Sequence, residues 1–180
     1  QPAEFDFVHS SHCLEHLEDP AEGLRNWLRV VRPGGYIIVT VPDEDLYEQG
    51  VYPSTFNPKH RWTFTILKSR SWSPRSVNIV DLVKRLGDEA ELVRLEQLSA
   101  TYRFDLPRYD QTLTPVGECG IEFVIRKRPT TEIAAGGRWE RKEAQPDRET
   151  RLCLNQYAND RQTLKRTNDA SPPFTDDKPI

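Results

Sequence analysis

Methionine is absent from the sequence, which begins with Gln1, a residue too bulky for routine removal of an initiator before it. We therefore expect the sequence to be part of a longer protein. Cysteine is scarce, with three residues, Cys13, Cys119 and Cys153, spread along the chain. An odd number of distant cysteines argues against a disulfide framework and suits a reducing compartment, so we predict a cytoplasmic protein.

Long apolar runs and an excess of positive charge are also lacking. No apolar stretch approaches the roughly 18 to 20 residues that a membrane helix needs, and the N-terminus has no secretory signal pattern. The formal net charge is −3, with acidic and basic residues intermixed. We therefore expect neither nucleic acid nor a membrane as a partner.

The 180 residues suit one ordinary domain with a core. Beyond Pro129 the sequence becomes polar, with paired glycines and prolines and no sustained apolar period. We predict a folded domain over 1–128 and a mostly disordered polar tail over 129–180, with a short helix over 151–164 as the alternative to disorder there.

Patterning in the first 41 residues predicts a strand, a helix and a second strand. Phe5 to Ser10 reads as a buried strand, and Asp19-Pro20 is a cap followed by proline at the first helical position. Pro33-Gly34-Gly35 ends the helix, and the apolar run Tyr36 to Val41 is typical of a strand covered on both faces. Such a unit joins parallel neighbours, which predicts an α/β sheet.

The later chain predicts an aromatic-rich loop, a helix and two strands. The loop runs from Pro42 to Pro74, and loops of this length and content are typical of binding regions. Apolar spacing from Val77 predicts a helix that Gly87 ends. Strands follow over Glu91 to Leu98 and Glu118 to Lys127. No convincing helix joins them, so we expect a hairpin-like pair with one strand antiparallel to the rest.

The opening stretch "FDFVHSSHCLEHL" offers four possible zinc ligands: His9, His12, Cys13 and His16. His12 and His16 would lie four residues apart on one face of the following helix. His9 lies inside the predicted strand, so its side chain would point away from that pair. No second ligand cluster is evident downstream to close a tetrahedral site. Packing and helix capping are therefore favoured over metal binding, and we predict no metal.

Polar residues follow both predicted parallel strands. Ser10-Ser11-His12 comes after the first strand, and Pro42-Asp43-Glu44 comes after the second. Ligands of open α/β sheets bind outside the carboxyl ends of the strands, so both segments are expected to face one crevice. Capping and backbone hydrogen bonding are the alternative for these side chains, and the sequence leaves both interpretations open.

The segment "FDFVHSSHCLEHLEDPAEGLRNWLRVVRPGGYIIVTVPD" resembles class I S-adenosylmethionine-dependent methyltransferases, particularly the broad small-molecule group. The matching pieces are Phe5-Asp6 with Val8, then Ser11 through Leu14-Glu15-His16, and Arg29 through Gly35. A later match, "NPKHRWTFT", resembles the loop before the next helix in these enzymes. The resemblance spans about residues 4 to 128. It implies a Rossmann-like sheet, S-adenosylmethionine as cofactor and a small-molecule acceptor.

The resemblance also implies that these strands are the fourth to seventh of a seven-stranded sheet, so the fold is expected to be N-terminally truncated. The sequence has no Gly-rich loop that follows a strand and opens a helix, and Gly34-Gly35 follows a helix instead. We expect this chain alone to bind S-adenosylmethionine weakly or not at all and to be inactive. The complete gene product should carry the loop upstream. A non-catalytic scaffold domain is the alternative, and the sequence does not specify the oligomeric state.

By resemblance, Ser10, Ser11 and His12 are expected to line the methionine end of the cofactor. His12 is the first candidate for a catalytic base because it follows the strand directly, and His60 is the second. A turn hydrogen bond for His12 and a surface position for His60 are the alternatives. Glu15 and His16 receive no catalytic role. Four loop aromatics either close over the acceptor or pack as core, and packing is favoured for the last two: Tyr52, Phe56, Trp62 and Phe64.

Overall fold

The structure is a computed structural model, and it describes residues 4–114 and 116–137. Its strands are β1 Phe5–Ser11, β2 Val31–Pro42, β3 Thr63–Thr65, β4 Ser76–Asn78, β5 Ala90–Leu98 and β6 Gly120–Lys127. Its α-helices are α1 Pro20–Val30, α2 Ile79–Lys84 and α3 Thr130–Ala134. The predicted helix over 151–164 and most of the predicted tail over 129–180 lie outside the described residues.

A four-stranded sheet in the order β1-β2-β6-β5 organises the described chain. β1 and β2 are parallel, whereas β6 is antiparallel to both β2 and β5. Three of these strands therefore run in one direction and β6 runs against them. This topology confirms the predicted mixed α/β sheet and the antiparallel final strand.

Helix α1 is fixed at its N-terminus by the cap that the sequence predicted and at its C-terminus by a residue that it did not. The Asp19 carboxylate accepts hydrogen bonds from the backbone N–H groups of Ala21 and Glu22, and Pro20 occupies the first helical position. At the other end, Lys127 Nζ donates to the carbonyls of Leu28 and Val31 at 2.8 and 2.9 Å. A cation from β6 thus satisfies carbonyls that a helix end leaves open.

The glycine pair lies inside β2 rather than at the end of α1, which stops at Val30. Gly34 has a φ of 84°, which favours glycine, and a Cβ on Gly35 would lie 2.5 Å from the Asp6 carbonyl oxygen. The pair sits where the β1/β2 register shifts between Phe5 and Phe7. The glycines therefore allow an irregular start to this parallel pairing.

The core covers one face of the sheet. Fully buried side chains of α1 and α2 pack against alternate residues of β2 and β6: Leu24, Leu28, Ile79, Leu82, Ile37, Val39, Val41, Ile121, Phe123 and Ile125. On the other face, Phe5, Phe7 and Tyr36 are 53%, 59% and 42% exposed. The expectations of a buried first strand and of a second strand covered on both faces are therefore wrong. The reason is that β1 is an edge strand within the described residues, where the core cluster reaches only alternate positions.

The segment from Pro42 to Pro74 is more ordered than a plain loop. It contains a π-helical turn over Glu44–Glu48 and strand β3, which pairs in parallel with β4. Helix α2 begins after Asn78, whose side chain caps it, so the first residue of the predicted helix, Val77, belongs to β4. None of the described helices is long and apolar enough to cross a membrane.

Asp43 provides a test of this part of the fold. Its buried carboxylate accepts from the N–H groups of Asp45 and Leu46, and its other oxygen accepts from Gln97 Nε2 at 3.0 Å. We expect Asp43→Ala to lower the free energy of unfolding by about 1 to 2 kcal/mol, because a cap is lost. Asp43→Asn keeps an accepting oxygen and should cost clearly less. Urea unfolding measures both, and equal losses would contradict the capping role.

Candidate functional site

A cleft opens at the carboxyl ends of β1 and β2. Ser11 and His12 from the end of β1 and Thr40 of β2 line it, and Glu118 and Glu122 line the side formed by β6 and the residues before it. Ser11 lies opposite Thr40 in the parallel register, and the His12 backbone N–H donates to the Thr40 carbonyl at 3.0 Å. The structure thus places the Ser11-His12 segment at the carboxyl end of the parallel strands, as predicted from the sequence.

Ser10 lies on the other side of β1. Successive strand residues point to opposite faces, and Ser10 is buried while Ser11 is exposed. The Ser10 hydroxyl has no hydrogen-bond partner among the described residues. Of the three residues expected to line the cofactor, the structure therefore brings Ser11 and His12 together in the cleft and directs Ser10 away from it.

The residues after β2 are buried rather than exposed in a crevice. Asp43 caps the π-helical turn. The Glu44 carboxylate is fully buried and accepts hydrogen bonds from Ser71, Ser76, Thr63 and Lys68 at 2.5 to 3.2 Å. For this segment the capping alternative is correct for Asp43, and the expectation that it faces the cleft is wrong because both carboxylates are buried and accept hydrogen bonds from other parts of the chain.

His12 combines exposure with a carboxylate neighbour. Its backbone is left-handed, with a φ of 51°, and its side chain is about half exposed. Its Nδ1 lies 3.5 Å from Oε1 of Glu15. That contact raises the pKa of His12 above its usual value, although burial opposes the change, and the charge of Glu118 adds to it.

Glu15 is buried at the centre of a histidine cluster. It lies in the 3-10 helix Leu14–His16, and its side chain is 0% exposed. Neither carboxylate oxygen has a hydrogen-bond partner among the described residues. Besides His12, the Nε2 atoms of His16 and His60 lie 3.8 and 3.9 Å from Oε1. The two sequence candidates for a base, His12 and His60, therefore lie near the same carboxylate oxygen.

His60 is a buried residue, so the alternative that places it at the surface is wrong. Its side chain is 4% exposed, and its Nδ1 lies 2.7 Å from Oε1 of Glu48. Its ring packs 5.0 Å from the ring of His16 and 5.2 Å from that of Tyr47. The following backbone N–H groups, of residues 61 and 62, donate to the Glu15 carbonyl, which holds the loop against the 3-10 helix.

Sequence reasoning missed this cluster because its members come from three separate segments. Glu15 was given no catalytic role, and nothing in the sequence indicated that Glu48 approaches His60. Of the four possible zinc ligands, His12 and His16 lie near Glu15, and His16 is the one whose ring nitrogen lies within 4.8 Å of ligand atoms of both Glu15 and His60. The sequence showed no second ligand cluster downstream, and the structure brings one downstream residue, His60, close to Glu15 and His16.

The loop aromatics mainly pack. Phe64 is fully buried, and Trp62 packs against the core while its Nε1 donates to the Leu17 carbonyl at 2.9 Å. The packing interpretation is therefore confirmed for both. Phe56 packs against Tyr47 in a smaller cluster. Closure over an acceptor stays a prediction for Phe56 and Tyr52.

Two cysteines near the cleft should differ in reactivity. Cys119 is buried, and burial together with nearby carboxylates raises its pKa to about 11, whereas Cys13 is exposed. Alkylation requires the thiolate, so iodoacetamide at pH 8 should modify Cys13 roughly 100-fold faster than Cys119. Peptide mass spectrometry over time measures the two rates. Urea should remove most of the difference, and equal rates in the folded protein would contradict the described environment of Cys119.

A protein-family model described as a methyltransferase domain matches residues 1–93 of the chain. No curated protein matches the chain.

Solved structures similar to this chain share little sequence with it. A chain from the complex between the Haloferax volcanii Trm112 methyltransferase activator and a methyltransferase is 15% identical, with a TM-score of 0.42. The [4+2]-cyclase SpnF is 15% identical with a TM-score of 0.44, and an Archaeoglobus fulgidus SAM-dependent methyltransferase is 18% identical with a TM-score of 0.37. The matches cover 71%, 71% and 70% of this chain, but 56%, 51% and 61% of the matched chains. This chain thus spans between half and two thirds of their length.

Proposed function

We propose, from the premise that this chain belongs to the methyltransferase domain family, that it carries the part of an S-adenosylmethionine-dependent methyltransferase site that holds the methionine end of the cofactor beside a small-molecule acceptor. The observation that carries the proposal is the cleft at the carboxyl ends of β1 and β2, where Ser11 and His12 lie beside Thr40. In an open α/β sheet this edge is where ligands bind.

The residues of the cleft fit one part of this cofactor. S-adenosylmethionine, when bound, supplies a methyl carbon on a positively charged sulfur, which is also the leaving group. The hydroxyls of Ser11 and Thr40 and the carboxylate of Glu118 suit a cationic, polar methionine end. The sequence has no Gly-rich loop after a strand for the nucleoside end. The proposed activity therefore belongs to the complete gene product.

In such a displacement, the protein lowers the barrier mainly by aligning the acceptor with the methyl carbon and the sulfur. The cofactor would supply both the methyl carbon and the leaving sulfur, so the task left to the residues of this chain would be to hold the acceptor's lone pair in line with that carbon. Holding the acceptor in line can supply roughly 7 to 11 kcal/mol of the barrier. A rigid wall made of the paired ends of β1 and β2 is suited to this positioning, because Ser11 and Thr40 are held in register by the sheet.

We assign His12 as the base that takes the proton from the acceptor. Its ring is half exposed, its Nδ1 faces Glu15, and no described residue forms a hydrogen bond with its Nε2. An acceptor hydroxyl or amine would give its proton to this ring during transfer. His60 is less suited to that role because it is buried between Glu48 and Glu15.

Calorimetry of the complete gene product with S-adenosylmethionine tests the proposal. We expect saturable binding of one equivalent. A non-catalytic scaffold domain, the alternative, would give no heat of specific binding, and that result would overturn the proposal. The isolated chain is expected to bind at least about tenfold more weakly, because the residues that hold the nucleoside would be absent.

A further inference from the structure

We propose that Glu15, His16 and His60 bind a divalent transition-metal ion of the zinc class. The inference concerns this chain's own side chains and stands whether or not the protein transfers methyl groups. It rests on three observations: the convergence of three ligand atoms, the groups behind the two imidazoles, and two buried carboxylates with three oxygens that accept no hydrogen bond from the described residues.

The ligand atoms converge without any rearrangement of the backbone. One ligand atom from each of the three residues lies within 4.8 Å of the others, and Oε1 of Glu15 is 3.8 and 3.9 Å from the Nε2 atoms of His16 and His60. Ligands held at about 2.0 to 2.2 Å around a tetrahedral ion are roughly 3.3 to 3.5 Å apart. Small side-chain rotations therefore close the site.

Each imidazole is already oriented by a group behind it. Nδ1 of His16 lies 3.1 Å from the Lys59 carbonyl, and Nδ1 of His60 lies 2.7 Å from Oε1 of Glu48. Both groups accept hydrogen bonds, so each Nδ1 carries the proton and each Nε2 lone pair is directed toward Glu15. A carboxylate behind a metal-binding histidine is a recurrent arrangement in metal sites, because it fixes the ring and increases its basicity.

The charge balance also points to a cation. The side chains of Glu15 and Glu48 are 0% and 1% exposed, and three of their four oxygens have no hydrogen-bond partner among the described residues. A buried carboxylate without compensation costs several kcal/mol. One divalent ion offsets both charges. The histidines near Glu15 do not take this place: Nδ1 of the half-exposed His12 lies 3.5 Å from Oε1, and the Nε2 atoms of His16 and His60 lie at 3.8 and 3.9 Å, beyond hydrogen-bond length.

The site is reachable from solvent, and its ligands indicate the class of ion. The side chain of His16 is one third exposed and borders a surface pocket with Lys59 and Arg61. Two imidazoles with one carboxylate suit zinc and the neighbouring divalent transition metals rather than magnesium or calcium. Three protein ligands leave a fourth position open for water or another small oxygen ligand.

Metal titration of the full chain tests this inference. After treatment with chelator, we expect one equivalent of Zn²⁺ to bind and to raise the melting temperature. Co²⁺ should give the visible absorption bands of a four-coordinate site with nitrogen and oxygen ligands, and Zn²⁺ should displace it. Absence of saturable binding, or binding without these bands, would overturn the proposal.

Variants identify the ligands. Glu15→Gln and His16→Gln should each weaken Zn²⁺ binding by at least about 100-fold, since each removes a direct ligand, and Glu48→Gln should weaken it by about 10- to 100-fold. His9→Gln is the matched control, because His9 is an exposed histidine of the same segment, and its affinity should stay unchanged.

Melting temperatures of the metal-free variants distinguish the loss of a metal ligand from the loss of the fold. Without metal, Glu15→Gln should melt at the same or a higher temperature than the parent chain, because a buried charge is removed, yet it should lose the increase caused by Zn²⁺. His16→Gln changes a partly exposed side chain and provides a second folded variant. Zn²⁺ affinity retained in both variants, or lost equally in His9→Gln, would show that the ion binds elsewhere and would overturn the assignment.

Discussion

Replacing Arg126 with alanine is expected to lower the free energy of unfolding by about 3 kcal/mol. The Arg126 guanidinium is 8% exposed and joins two segments: its Nε donates to Glu91 of β5 at 2.7 Å, and its Nη atoms donate to Glu132 of α3. The substitution removes the hydrogen bonds of the guanidinium to two carboxylates at once, and losing one partner of a buried ion pair costs roughly 3 to 5 kcal/mol. The lower end applies because both carboxylates stay partly exposed. Chemical unfolding of the full chain measures the change.

Arg94→Ala is the matched control. Arg94 lies on β5 and pairs with Glu96 and Glu122, but its side chain is 57% exposed. Exposed ion pairs contribute about 0 to 1 kcal/mol, so this variant should remain close to the parent. Similar losses for both arginines would contradict the described burial of Arg126, and a loss below that of Arg94→Ala would show that α3 is not held through it.

His12→Gln is expected to slow methyl transfer by about 10²- to 10⁴-fold, the range that a positioned base contributes. The complete gene product is incubated with isotopically labelled S-adenosylmethionine and a small-molecule extract of the source cells, and the label that enters the extract is measured. Affinity for S-adenosylmethionine should change little, because His12 is assigned to the acceptor's proton. The prediction therefore separates a catalytic loss from a binding loss.

His9→Gln serves as the control for this rate, since His9 is an exposed histidine on β1, before the cleft residues. It should transfer methyl groups at the parent rate. A His12→Gln variant that keeps more than about a tenth of the rate would contradict the proposed base. A variant that loses cofactor affinity and rate together would place His12 against the cofactor instead.

The parallel direction of β1 and β2 and the antiparallel direction of a late strand could be predicted from sequence because the signals that mark these elements are local. Asp19-Pro20 marks the start of α1, and apolar runs with flanking breakers mark β2 and β6. The burial of β1 could not be predicted in this way. Phe5 and Phe7 have the composition of a buried strand, but the position of a strand within a sheet, which decides its exposure, is set by residues far away in sequence.

The same distinction between local signals and tertiary packing applies to the residues of the candidate site. Ser11 and His12 follow a strand directly, so the rule for open sheets places them at the cleft. The contacts around Glu15 depend on tertiary packing: the loop that carries His60 lies against the 3-10 helix, and Glu48 of the π-helical turn lies behind it. No periodicity or spacing in the chain brings these three residues together, so their proximity emerges only from the fold.

Blocking the cleft tests the central claim most directly, namely that the rim of β1 and β2 holds the methyl donor. In the complete gene product, Ser11→Trp places a large side chain at the cleft, whereas His9→Trp places it on the same face of β1, two residues earlier. Calorimetry should show S-adenosylmethionine binding weakened by at least about 100-fold in Ser11→Trp, or about 2.8 kcal/mol, and unchanged in His9→Trp. Equal affinity in the two variants would contradict the account.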